Sequence, residues 1–278
     1  MAFRLNDVSF NHALLYLKNS QKSLSESLDR MSSGKSITKA ADDAAGLSIA
    51  TSLESQVRGL GQSMRNATDA IAIAQVAEGV LGNSAEIIMS IRDKALQAAN
   101  DSQTYQTRQS LQSDINKSLA ELSDISGNAS YNGQKLLSGE FSNKSFQVDA
   151  SSGETVEMII GNASPAVFGN AYGNLADINV LSSEGAQQAL SVTDSALAGI
   201  NSMRSELGST QNQLTVTINN LSLTQVNVAS AQSQIADVDF AEESINFSRI
   251  KSLEKAGTFA VAQIGKMNRQ KMSDLLQG

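Results

Sequence analysis

INSMRSELGSTQNQLTVTINNLSLTQVNVASAQSQI, residues 200–235, is the stretch whose reading decides the fold. Ile200, Met203, Leu207, Thr210, Leu214, Thr217, Leu221, Thr224, Val228, Ala231 and Ile235 recur by threes and fours over five heptads. A helix with this spacing carries one apolar seam, which it buries only against another helix. Four of the seam positions are Thr or Ala, so neighbouring helices approach closely at the expense of stabilisation per layer.

The same spacing governs both ends of the chain. Phe10, Leu14, Leu17, Gln21, Leu24, Leu28 and Met31 form one run, and Ile250, Leu253, Gly257, Ala260, Ile264 and Met267 form another. Termini usually fray, so a seam in each marks them as working surfaces. Between them, Ala50, Leu53, Val57, Leu60, Met64, Ala67, Ile71 and Ala74 continue the pattern, Glu78 interrupts it, and Leu81, Ala85 and Ile88 resume it. That predicts a helix of about 55 residues, several times the globular mean of about 12.

Composition agrees with long helices. The 278 residues include no Trp, no Cys and one Pro, Pro165, while Ala, Ser, Leu, Gln and Asn recur throughout. Without cysteine there is no disulfide framework, thiolate metal site or cysteine nucleophile. No stretch approaches the roughly 20 apolar residues of a membrane span, and the N-terminus lacks the pattern of a cleaved secretory signal. Net charge is −7. Residues 1–45 hold six Lys and Arg against five Asp and Glu, and residues 237–278 hold six against six, so the acidity lies in the middle. Near-neutral ends suit dense packing against copies of themselves, and the lack of a basic stripe argues against nucleic acid.

Punctuation supplies the rest of the order. Ser32-Ser33-Gly34 through Asp42-Asp43-Ala44 reads as a linker, with the Asp pair capping the next helix or forming a local salt bridge. Asn100-Asp101-Ser102 marks a turn, and a second helix is predicted from Tyr105 to Ile125 with Leu111, Ile115, Leu119 and Leu122 on one face. Tyr131-Asn132-Gly133-Gln134 signals a tight turn, and alternation at Phe146, Val148, Val156, Met158 and Ile160 predicts a small hairpin region over 131–161. Residues 161–181, rich in Gly, Asn and Ala, read as a surface loop. The expected fold is mainly α: an elongated antiparallel helical bundle or coiled coil with a small β-hairpin region and its termini paired at one end. Residues 1–44 and 237–278 would form a terminal coiled-coil domain, and 45–236 the bundle domain.

Catalytic constellations are lacking. His12 is the single histidine and lies among seam residues, where a structural or solvent-facing role outweighs general-base work. There is no paired-His metal motif, phosphate loop or nucleophile elbow, so neither an enzyme nor a cofactor is expected. Asn-X-Ser/Thr triplets such as Asn128-Ala129-Ser130 are commonplace in a chain so rich in Asn and Ser.

The residues themselves carry a resemblance. Leu28-Asp29-Arg30-Met31-Ser32-Ser33-Gly34, Ala41-Asp42-Asp43-Ala44-Ala45-Gly46-Leu47, Gln56-Val57-Arg58-Gly59-Leu60 and Met64-Arg65-Asn66-Ala67 closely resemble the N-terminal region of bacterial flagellins. Ile235-Ala236-Asp237-Val238-Asp239-Phe240 and Ala256-Gly257-Thr258-Phe259-Ala260-Val261-Ala262-Gln263 resemble the C-terminal region of that family. The resemblance implies a filament subunit for motility, exported by the flagellar type III apparatus to the cell exterior without a cleaved signal and polymerised at the distal tip. It implies that the terminal helices line an inner tube, surrounded by the bundle. The partners so implied are further copies of the chain, an export chaperone, and the cap and hook-associated proteins.

With about twenty residues between hairpin and third long helix, the expected subunit has no outer domain and its filament is thin and smooth. Phe10, Leu14, Leu17, Leu24, Leu28, Met31, Ile250, Leu253, Gly257, Ala260, Ile264 and Met267 are the expected assembly residues. The stretch read by the innate flagellin receptor of animals is similar to Ile91-Arg92-Asp93-Lys94-Ala95-Leu96-Gln97. Arg92 is retained, but Ser90 stands where activating members carry Arg, Lys94 where they carry Leu, and Asp114 where they carry Glu. Weak activation is the implication. The rival readings are a hook–filament junction protein and, from another class, a secreted coiled-coil effector or translocator, which would need a strongly apolar segment.

Overall fold

The computed structural model describes the backbone of residues 2–151 and 153–277, and the side chains of 8–151 and 153–273. Five long helices dominate: α1 (Ala2–Ser33), α2 (Ala44–Ala99), α3 (Tyr105–Asn128), α4 (Ser183–Ala236) and α5 (Phe240–Gln277). Six short strands lie between α3 and α4: β1 (Ser130–Tyr131), β2 (Gln134–Lys135), β3 (Lys144–Gln147), β4 (Thr155–Met158), β5 (Gly169–Asn170) and β6 (Gly173–Asn174). They pair only as antiparallel neighbours in sequence, β1 with β2, β3 with β4 and β5 with β6. The chain divides into two compact units, residues 1–57 with 226–278 and residues 58–225. The divisions fall inside α2 and α4.

In the unit of residues 58–225, the core seam of α2 runs Leu60, Ser63, Ala67, Ala70, Ala74, Ala77, Leu81, Ser84, Ile88, Ile91, Ala95 and Ala98, all buried. This is unbroken three-four spacing. The interruption expected at Glu78 does not exist, because the seam passes through Ala77, and Glu78 lies beside it. There its carboxylate faces Arg204 at 3.8 Å and accepts from Gln211 Nε2 at 3.3 Å. Ser84 satisfies its own buried hydroxyl by donating to the Val80 carbonyl at 2.9 Å. The seam of α4 likewise extends upstream of Ile200, through Ala186, Ala189, Thr193 and Ala196, all buried. Thr224 lies outside the seam, exposed, its hydroxyl donating to the Asn220 carbonyl.

By mean hydropathy, 1.2 over its most apolar 18 residues, α2 is long and apolar enough to cross a membrane. This corrects the expectation that no stretch approaches a span. The apolarity comes from alanines such as Ala70, Ala74 and Ala77, which line the core of this unit.

Loop chemistry closes the unit. Thr104 caps α3, accepting from the Thr107 N–H at 3.2 Å. Arg108 Nε donates to the Ala98 carbonyl at 2.8 Å and so caps the end of α2. Asn132 and Gly133 have φ of 48° and 78°, as a two-residue turn between β1 and β2 requires. The β3–β4 hairpin is latched to α2 at Asn66, whose side chain donates to the Gln147 carbonyl at 3.1 Å. It is also latched at Gly59, where an added Cβ would stand 2.8 Å from that of Ala150.

Residues 161–181 are not merely a surface loop. Ala163, Phe168, Leu175, Ile178 and Val180 are buried in the core. The Gln112 side-chain amide acts as a strand would: Nε2 donates to the Ile178 carbonyl at 3.1 Å and Oε1 accepts from the Val180 N–H at 2.7 Å. The ring of Phe168 lies where a Cβ on Gly199 would come within 3.0 Å, so the helix is bare there to admit it.

In the unit of residues 1–57 with 226–278, α1 and α5 pack antiparallel. Gly257 lies against Leu17 at one level, and Glu243 lies against Ser27 and Arg30 at another. Gly34, at φ 69°, ends α1 with its N–H on the Arg30 carbonyl at 2.9 Å. The two linkers then bond each other, Ser36 N–H to the Ala236 carbonyl at 2.7 Å and Val238 N–H to the Gly34 carbonyl at 3.0 Å.

The aspartate pair divides its labour. Asp43 caps α2, accepting from Ala45 and Gly46 N–H at 3.0 Å each. Asp42 instead organises the loop before it, accepting from the Thr38 N–H and hydroxyl and the Lys39 N–H. Those bonds, the Thr38 N–H first, hold its carboxyl below the usual carboxylate range.

Candidate assembly surface

The inward row of α1 is Phe10, Ala13, Leu17, Ser20, Leu24, Ser27 and Met31, each half-buried or buried. That of α5 is Glu243, Phe247, Ile250, Glu254, Gly257, Val261, Ile264 and Asn268, again by threes and fours. Of the residues singled out in the sequence, Phe10, Leu17, Leu24, Met31, Ile250, Gly257, Ala260 and Ile264 turn inward. The other four do not. Leu14 and Leu28 are 44% and 49% exposed, and Leu253 and Met267 are 52% and 44% exposed.

The physical reason is the width of the apolar stripe. One partner helix covers only part of the face, and the close approach selects Ala13, Ser20, Ser27 and Gly257 over their bulkier neighbours. Gly257 favours this approach, since an added Cβ would stand 3.3 Å from Leu17 Cδ1 and the leucine would have to shift. A second set of large apolar groups is left outside. On α1 these are Val8, Leu14, Leu15, Tyr16 and Leu28, and on α5 Phe240, Ile245, Leu253, Phe259, Met267 and Met272. A monomeric soluble protein seldom leaves so much apolar surface on two adjoining helices.

A polar cluster sits within the inner seam. Glu243 is only 7% exposed, yet it is a carboxylate. Ser27, also buried, donates its hydroxyl to Glu243 Oε1, and Arg30 NH1 stands 3.8 Å from Oε2. A groove of about 340 Å³ runs beside it between α1 and α5, with Tyr16, Arg249 and Leu253 in its walls. Sequence reading missed Glu243, because a carboxylate in the first turn of α5, which Asp239 caps by accepting from the Ala241 N–H at 2.8 Å, reads as solvated; its spacing of seven from Ile250 was the available signal.

The receptor-like residues lie in the other unit, where three of the four are paired. Arg92 Nε donates to Asp194 Oδ1 at 2.6 Å, a bond that raises the guanidinium above its ordinary pKa. Lys94 Nζ donates to Ser118 Oγ at 3.1 Å, Asp114 pairs with Lys117 at 3.1 Å, and Ser90 is exposed. Among the described residues, no group of three or more His, Cys, Asp and Glu is placed to hold a metal ion.

Comparison with known proteins names the architecture. Residues 6–142 match the family model of the bacterial flagellin N-terminal helical region, and residues 190–276 that of the C-terminal helical region. Flagellin B of Helicobacter pylori is 46% identical over 173 residues, 61% of this chain and 33% of that protein. Flagellin B of Vibrio anguillarum is 42% identical over 169 residues, 60% of this chain and 45% of that protein. The matched part therefore spans about a third to under a half of those relatives. A Vibrio parahaemolyticus chain described as a flagellar hook-associated protein shares the fold, with a TM-score of 0.62 at 18% identity over 70% of this chain and all of that one. With both family models matched and the helices they cover in place, the chain belongs to the bacterial flagellin family.

Proposed function

We propose that this chain is the structural subunit of a bacterial flagellar filament, and that it builds the filament through its terminal helices. The observation that carries this reading is the second apolar row on α1 and α5: beyond the seam that the two helices bury against each other, Val8, Leu14, Leu15, Tyr16, Leu28, Phe240, Ile245, Leu253, Phe259 and Met267 face out. Such a surface suits burial against further copies, through heterologous contacts that do not close into a ring and so extend as a helix. In this reading residues 1–44 and 237–278 line an inner tube, and residues 45–236 form the shell around it. The subunit is secreted through the flagellar export apparatus with a chaperone, and it meets the cap and hook-associated proteins at the filament ends. Its role is structural and not catalytic.

Gold labelling of the native protein along sheared filaments tests the assignment. Label along the whole length is expected; label confined to the hook end would overturn it in favour of a junction protein. Receptor recognition should be weak, since Ser90 offers no cation, Arg92 is held by Asp194, and Lys94 puts a charge where an apolar contact is needed. A reporter-cell assay should show the monomer activating well below a strongly activating flagellin; equal potency would contradict this.

A further inference from the structure

We propose that Glu243, held by Ser27 and Arg30, fixes the antiparallel register of α1 against α5. Along α1 the small seam positions Ala13, Ser20 and Ser27 recur at heptad spacing and specify register poorly by themselves. On α5, Gly257 has Ile250 and Ile264 one heptad away, so steric fit at Leu17 favours the observed alignment without giving it a polar lock. Small, repetitive seams slip, and natural coiled coils suppress slippage with a buried polar group that is satisfied in one alignment only.

Glu243 meets that requirement. In the observed alignment its two oxygens face a hydroxyl and a guanidinium. A slip of one heptad moves α5 by about 10 Å along α1. In one sense it exchanges Ser27 and Arg30 for Ser20 and Ser23, and in the other it carries Glu243 past the end of α1 at Ser33. Neither alternative sets a serine and an arginine together against the carboxylate as Ser27 and Arg30 are set in the observed one, so each costs it that pairing. Register in turn sets which outward side chains of α5 stand level with Leu14 and Leu28. Only that last consequence rests on the filament reading; the register itself is a property of one chain.

The absence of cysteine from the sequence makes the test direct. An ideal Cβ on Gly257 lies 3.7 Å from Leu17 Cβ, within the span of a disulfide. The pair L17C/G257C therefore reports the observed register, and L17C/I250C and L17C/I264C report the two slipped ones. In the otherwise unchanged full chain, only the first pair should close within a single chain under mild oxidation. Adding R30L/E243L, which replaces the cluster by apolar groups, should leave helical content by circular dichroism unchanged. It should also raise slipped-register crosslinking by about tenfold or more.

A double variant that still closes only L17C/G257C overturns the proposal. So does one that loses its helices, since the cluster would then serve stability and not register. Failure of the unmodified chain to close L17C/G257C in both monomer and polymer overturns it too. Because intramolecular closure is read on single chains, loss of polymerisation alone would count against the filament reading and leave the register result standing.

Discussion

Replacing Leu28 by Asp is expected to abolish polymerisation while leaving the chain folded. Leu28 is 49% exposed and faces away from α5, so in the free chain the change resembles an ordinary surface substitution, within about 0.5 kcal/mol. Between copies the outcome differs. A carboxylate buried there without a partner costs several kcal/mol at each contact, and every copy added to a filament repeats the cost. Sedimentation and negative-stain microscopy should find monomers, with thermal unfolding and circular dichroism close to those of the unaltered chain. Leu14→Asp should behave alike. Leu24 is a poorer probe, because it turns inward and its loss disturbs the α1–α5 pair itself. Filaments of ordinary length from Leu28→Asp would remove the outward row from the interface.

The second large effect lies in the other unit. Ala77 is fully buried in the α2 seam, and helices that close over alanine have no room for a longer side chain. Ala77→Leu should destabilise residues 58–225 by about 2–3 kcal/mol through overpacking. Glu78→Leu, one residue on, should cost less than about 1 kcal/mol, because it forfeits only the partly exposed contacts with Arg204 and Gln211. Denaturant unfolding of the two variants measures the difference. The reverse order, with Glu78→Leu the more damaging, would restore the seam to the line drawn through Ile71, Glu78 and Ala85.

That line shows what the sequence could and could not convey. Periodicity found every long helix, and Asn132-Gly133 found its turn, because both signals are local. It misassigned alternate positions of the seams in α1 and α2, mostly toward the bulkier neighbour: Leu14 for Ala13, Leu28 for Ser27, Met64 for Ser63, Ile71 for Ala70. Bulk marks where apolar area exists, whereas close helix packing selects where it is absent. Ser63, Ser84 and Ser27 were invisible for the same reason, since a buried serine looks polar until its hydroxyl partner is known. The burial of Phe168 and Val180 was hidden too, because it depends on Gln112 and Gly199, which lie far off in sequence. Among the assembly residues, the inward and outward halves could be told apart only once the partner helix was in place. The outward half, Leu14, Leu28, Leu253 and Met267, is the part that still needs a neighbour.

Electron cryomicroscopy of native filaments tests the central claim most directly. The account predicts Leu14, Leu28, Leu253 and Met267 buried between copies, with Gly257 still against Leu17 within each chain. Filaments in which those four side chains stay in solvent, while copies touch only through residues 58–225, would contradict it.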